Sequence, residues 1–147
     1  MTDSAASPHD LSQEASDLRI ATFRLARRMR TQRAVDSMSD GQFGVLAVLF
    51  LHGPHTLTQL ADRERVSAPA MTRTVNCLQD AGYITRGADE SDGRKVVIDL
   101  TASGRAVVDE TARRRDAWVE EALAELEPGE RETLAKAAEI MGRMVNR

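Results

Sequence analysis

Between Ser67 and Leu100 the apolar residues change their period once, at Gly82. Before it, Met71, Val75 and Leu78 are spaced by four and three, which gathers them on one side of an α-helix. After it, "YITRGAD" and "KVVIDL" read as two strands joined by a loop containing Gly93. Val96, Ile98 and Leu100 alternate there with Val97 and Asp99, a half-buried edge pattern. The tip of this hairpin carries Arg94 and Lys95 beside a flexible turn. A basic tip contributes little to a hydrophobic core. It makes sense if something negatively charged lies beneath it.

Helical signals flank the hairpin on both sides. From Leu11 to Met29, apolar Leu11, Ala15, Leu18, Leu25 and Met29 recur on one face, with Thr22 filling the missing step. Ser39 and Asp40 are placed to cap "DGQFGVLAVLFLHG", which is apolar on nearly all sides and so central, and Gly53-Pro54 ends it. Thr58 is the expected N-cap of "QLADRER", and Ser67 that of "APAMTRTVNCLQDAG". In the latter, Pro69 sits in the first turn, where a missing N–H costs nothing, and Gly82 terminates the helix. Thr101 caps a long helix running to about Ala124, with Val107, Thr111, Trp118 and Ala122 at heptad-like positions. Pro128 opens the last helix, which bears Leu134, Ala138, Met141 and Val145 on one stripe. The order is helix, helix, helix–turn–helix, hairpin, helix, helix. A plain helical bundle with a decorative hairpin would explain the helices but not the composition of the tip.

The chain's 147 residues suit one compact domain with an added oligomerisation element. Aromatic residues are scarce, so burial must rely on Leu, Val, Ile, Ala and Met. No apolar run approaches the roughly 18–20 residues of a membrane span. "MTDSAASPHD" has neither a basic start nor an apolar stretch, so a short disordered leader is expected there rather than a signal peptide. The single cysteine, Cys77, excludes an intramolecular disulfide and fits a reducing cytoplasm. A net charge of −3 argues against a uniformly basic nucleic-acid binder. Yet the charges are segregated, with six arginines and no acid from Arg19 to Arg33 and an acidic balance from Glu120 to Glu132. Only the field at a contact face has to be positive.

The helix from Ala68 to Asp80 carries its chemistry on the side opposite Met71, Val75 and Leu78. Pro69, Thr72, Arg73, Asn76 and Asp80 gather there. Apart from Asp80 at the far end, they are small, hydroxylated, amide-bearing or guanidinium groups, able to donate to phosphates, read base edges or contact a thymine methyl. A short helix, a tight turn, a second helix of this kind and a basic hairpin together describe a winged helix–turn–helix. Its second helix enters the major groove, and its hairpin reaches the neighbouring backbone or minor groove.

From about Leu57 to Gly104 the sequence resembles the MarR-type transcriptional regulators. The resemblance rests on "LTQLADRERVSAPAMTRTVNCLQDAGYITR" followed by "DGRKVVIDLTASG". The family's Asp-x-Arg of the wing is present as Asp92, Gly93 and Arg94, and its closing Leu-Thr and glycine as Leu100, Thr101 and Gly104. One departure is Arg65 in the turn, where the family often has glycine. The resemblance implies an intertwined homodimer built by the terminal helices and small, often phenolic, effectors. No motif here identifies an effector pocket. A two-fold dimer would set two recognition helices about one DNA turn, roughly 34 Å, apart on a near-palindromic site.

The expected fold is mainly α with a small β-hairpin wing (α+β), with terminal dimerisation helices. Residues 1–9 form a leader, 10–36 an N-terminal dimerisation helix, 37–100 the winged helix–turn–helix and 101–147 the C-terminal dimerisation helices. The DNA-binding set is Ser67, Pro69, Ala70, Thr72, Arg73 and Asn76 on the helix, and Asp92, Arg94 and Lys95 on the wing. Asp92 is expected to orient the Arg94 guanidinium, and Lys95 to add a phosphate contact. The partners are double-stranded DNA, a second copy and a small aromatic effector, with no membrane and no cofactor. The expected function is a cytoplasmic, ligand-responsive repressor.

Other features carry weaker readings. Cys77 suits a redox sensor or a small apolar filler, and the filler is favoured because no basic or resolving partner is evident nearby. His52 and His55 lack a third ligand at suitable spacing, so no metal is expected. The arginines of the first helix and of "RRR" at 113–115 read as solvated faces with inter-subunit ion pairs, although Arg27, Arg28 and Arg30 could help attract DNA. An enzyme would need a phosphate-binding glycine loop, or a paired nucleophile and base, and the sequence has neither. A winged-helix adaptor without DNA binding would put apolar or acidic residues on the outward helix face.

Overall fold

The computed structural model describes residues 8–146. Among them the elements run α1 (Pro8–Arg30), α2 (Asp40–His52), α3 (Leu57–Glu64), α4 (Ala68–Asp80), β1 (Ile84–Ala88), β2 (Val96–Leu100), α5 (Ala102–Ala124) and α6 (Pro128–Val145). The fold is therefore mainly α with a two-stranded antiparallel wing, as the change of period implied. The leader reading falls largely on residues 1–7, which lie outside the described residues, and α1 already includes Pro8 and His9.

Side-chain caps fix the helix starts. Ser39 accepts from the Gln42 N–H at 3.1 Å while Gln42 Oε1 accepts from the Ser39 N–H at 2.8 Å, a reciprocal capping box. The start of α3 differs from the expected Thr58. Thr56 is the cap, because it has Gln59 three residues on to complete the same reciprocal pair. Ser67 Oγ accepts from the Ala70 N–H at 3.2 Å and Thr101 Oγ1 from the Gly104 N–H at 3.1 Å, as their positions suggested.

The turn between α3 and α4 depends on Arg65, which adopts φ 54 and ψ 46, the left-handed region. There the Val66 N–H returns to the Ala61 carbonyl at 3.0 Å and closes α3. A residue with a Cβ thus occupies a conformation that favours glycine, and the turn still closes.

One core unites the middle of the chain. Val45, Leu46 and Leu49 of α2 pack with Leu60 and Ala61 of α3 and with Met71, Val75 and Leu78 of α4. Ile84 and Ile98 seal the wing onto it, and Val107 and Val108 close it from α5. Burying each such aliphatic side chain is worth about 1.5–3 kcal/mol, so this cluster fixes α4 by its inner face. The strands pair from Ile84 with Leu100 to Ala88 with Val96. Val96 is 58% exposed at the tip end of that ladder, Ile98 is buried, and Asp99 and Leu100 are both half-buried, so the expected alternation is realised at Ile98 alone. His55 extends the sheet by one bridge: its N–H donates to the Ile98 carbonyl at 3.1 Å and its carbonyl accepts from the Ile98 N–H at 2.7 Å.

Helix α5 ties the segment after α1 to this body. Thr111 is buried, and its Oγ1 accepts from the Ala34 N–H at 3.2 Å. Arg114 Nη1 donates to the Arg33 carbonyl at 2.6 Å, and the Arg115 guanidinium lies 4.7 Å from the centre of the Phe43 ring. The outer helices are less covered. Leu18, Phe23 and Leu25 of α1 and Leu134, Met144 and Val145 of α6 are exposed, and α6 has no buried residue. An apolar groove of about 330 Å³ runs between the two, lined by Leu18, Phe23, Met141 and Val145 among others.

Candidate nucleic-acid interface

Helix α4 is anchored by Met71, Val75 and Leu78, all buried, which turns its opposite side to solvent. Ser67, Pro69, Arg73 and Asn76 are exposed, and Ala70 and Thr72 half-buried. The two hydroxyls are partly engaged. Ser67 caps the helix, and Thr72 Oγ1 donates to the Ala68 carbonyl at 2.9 Å. Arg73 has no ion-pair partner among the described residues.

The tip of the wing is ordered by its own short-range hydrogen bonds. The Asp89 N–H donates to the Lys95 carbonyl and the Lys95 N–H to the Asp92 carbonyl, both at 3.0 Å. Asp89 Oδ1 accepts from both the N–H and the hydroxyl of Ser91 at 3.0 Å. Those two bonds, with Lys95 nearby, hold the Asp89 carboxyl below its usual pKa. Arg94 and Lys95 project exposed from this turn.

Asp92 acts differently from the expectation. Its carboxylate accepts from the backbone N–H of Arg94 at 3.1 Å, and it forms no ion pair with that guanidinium among the described residues. An aspartate two residues ahead reaches a backbone N–H within the turn more readily than the end of a long, mobile side chain. Asp92 therefore shapes the main chain that carries Arg94.

Arg86 was not singled out from sequence. From β1 its Nη2 donates to Asn76 Oδ1 at 2.8 Å, and its Nη1 donates to Gln79 Oε1. Asn76 and Gln79 are one helical turn apart on α4, and the tight turn at Gly82 (φ +82) swings β1 back beside them. The signal available was that i, i+3 amide pair followed, after a glycine turn, by an arginine on the first strand.

Cys77 is exposed, and Gln42 Nε2 lies 3.1 Å from its Sγ. It borders a cavity of about 340 Å³ lined by Val35, Met38, Leu78 and Tyr83, at the edge between the buried and outward sides of α4. His55 Nδ1 lies 2.8 Å from the Gly53 carbonyl, a local contact within its own loop.

Comparison with known proteins follows the same outline. Residues 38–96 match the MarR family. Over 132 residues the chain is 38% identical to the uncharacterized HTH-type transcriptional regulator Mb0904 of Mycobacterium bovis, with 90% of this chain and 92% of that one covered. The HTH-type transcriptional repressor YetL of Bacillus subtilis is 35% identical over 71 residues, 47% of this chain and 42% of its own. A MarR family protein from Bacillus stearothermophilus shares the fold, with a TM-score of 0.79 at 19% identity over 97% of this chain and 100% of that one. With a near-full-length relative at this identity, and the family match running from before α2 through the helix–turn–helix to the start of β2, the chain belongs to the MarR family of transcriptional regulators.

Proposed function

We propose that the protein is a homodimeric, ligand-responsive repressor that reads a near-palindromic operator through α4 and grips the flanking backbone with its wing. Regulators of this family bind DNA and are not enzymes. The observation that carries the reading is the division of α4: its apolar side is locked into the core while Arg73 and Asn76 stand exposed on the other. In this reading Ser67, Pro69, Ala70 and Thr72 line the duplex beside them. Arg94 and Lys95 meet phosphates or the minor groove from a turn that Asp92 holds in shape.

The exposed apolar residues of α1 and α6 support the dimer. Large hydrophobic surface on two long terminal helices calls for a cover, and a second copy supplies one by two-fold symmetry. The repressor name of the Bacillus subtilis relative supports the sign of regulation. A small aromatic effector would act by preferring the spacing of the reading heads that DNA does not. A cytoplasmic setting is part of this reading; among the described residues no helix is long and apolar enough to cross a membrane. Selection of bound fragments from random DNA, followed by a mobility shift with the winner, tests the proposal. A near-palindrome is expected, and binding to no duplex would favour a protein-binding adaptor.

A further inference from the structure

We infer that Arg86 decides which hydrogen-bonding groups α4 offers to DNA, turning the amides of Asn76 and Gln79 so that their –NH₂ donors face outward. The inference rests on the proposed DNA-reading role of α4 and deepens it, because it names the kind of base edge that fits. A side-chain amide is chemically two-faced, with an oxygen that accepts and a nitrogen that donates two hydrogens. An exposed amide normally flips between these faces at little cost. Here it is not free to do so. Guanidinium has donors and no acceptor, so only a carbonyl oxygen can face it. Nη2 of Arg86 is 2.8 Å from Asn76 Oδ1, and its Nη1 binds Gln79 Oε1. Flipping either amide would set an –NH₂ against a cation.

The consequence is a reading face made of donors. The Arg73 guanidinium already offers only N–H groups, and the latched Asn76 and Gln79 lead with –NH₂. Such a face matches acceptor edges. In the major groove guanine offers O6 and N7 and thymine O4 with no amino group beside them, whereas cytosine presents an amino donor and adenine sets one next to its N7. The free amide of an asparagine would instead pair both its groups with adenine. Arg86 is thus a positioning residue: it works through Asn76 and stays on the wing side of the helix.

The test uses full-length protein and the operator obtained by selection. The base pair addressed by Asn76 is the one whose preference disappears in Asn76→Ala. All four bases are then placed there and affinities measured for wild type, Arg86→Ala and Arg86→Lys. Wild type should favour guanine or thymine over adenine by roughly tenfold, the scale of one good base contact. In Arg86→Ala this preference should shrink or invert toward adenine, and Arg86→Lys, with one point donor for two amides, should fall between. A change in overall affinity with the base preference intact would show a merely structural contribution and overturn the inference. So would a wild-type preference for adenine. If wild type binds no duplex, the DNA-reading role of α4 fails and the inference with it. The site is on the surface, so thermal melting of Arg86→Ala should match wild type, and any loss of base preference then reflects the latch rather than unfolding.

Discussion

Gly104 lies so close to the carbonyl oxygen of Tyr83 that any side chain at position 104 would overlap it. The approach is set by Thr101, whose N–H donates to that carbonyl at 3.1 Å and whose hydroxyl donates to the Gly82 carbonyl at 2.6 Å. The first turn of α5 is thereby pressed onto the segment joining α4 to the wing. This gives a structural reason for the spacing of Leu100, Thr101 and Gly104.

Gly104→Ala should therefore destabilise the fold by about 1–3 kcal/mol or more, since the obstacle is backbone rather than a side chain that can swing aside. Thr101→Ala should cost about 1 kcal/mol through the lost cap. Denaturant melts of both variants check this, and an alanine tolerated at 104 would contradict the close packing.

Arg65 holds a left-handed conformation that disfavours any residue with a Cβ. Arg65→Gly should raise stability by about 1 kcal/mol, the gain from relieved strain exceeding the flexibility added to the unfolded chain. A lower denaturation midpoint for the glycine variant would mean that the arginine side chain makes a stabilising contact of its own.

Glu110 accepts two hydrogen bonds from Arg113 at 2.8 Å and one from Arg114 at 2.9 Å. Arg113 foremost, then Arg114, brings its pKa down from the ordinary 4.5 to about 2. Because the folded-state value is the lower one, the contribution of Glu110 to stability is complete above about 4.5 and is lost as pH falls toward about 2. Carbon-detected titration of the carboxyl should give a midpoint near the lower value. A midpoint near the ordinary one would show that the two arginines do not hold it in solution.

Arg94→Ala should weaken operator binding and flatten its dependence on salt. Each phosphate contact removed lowers the logarithmic slope by about 0.9, since fewer counterions are released. Affinities across a salt series measure this directly, and an unaltered slope would remove the wing tip from the phosphate interface.

Much of this fold could be read in advance because local chemistry marks its boundaries. Ser39, Ser67 and Thr101 cap helices where a hydroxyl precedes a helical apolar run, and Gly82 ends α4 where the period changes. The misplaced start of α3 shows the limit of periodicity alone. Thr56 and Thr58 both precede the apolar stripe, and only the reciprocal partner Gln59 separates them. The outward side of α4 was legible for the same reason as its buried side, since one helical period defines both.

What was not legible depends on contacts between segments. The grip of Arg86 on Asn76 requires knowing how sharply β1 folds back against α4. The bond from the Ala34 N–H to Thr111 spans 77 residues and leaves no local trace. Asp92 was placed correctly in the turn, but its choice between a main-chain N–H and a guanidinium depends on turn geometry that spacing does not specify.

The most direct measurement compares wild type with Arg73→Ala on the selected operator and on its single-base variants. Loss of about 1–3 kcal/mol, concentrated at one symmetric pair of positions where discrimination disappears, is expected if α4 of each subunit lies in the major groove. An Arg73→Ala protein that binds with unchanged affinity and unchanged preference at every position would show that this helix does not read the sequence.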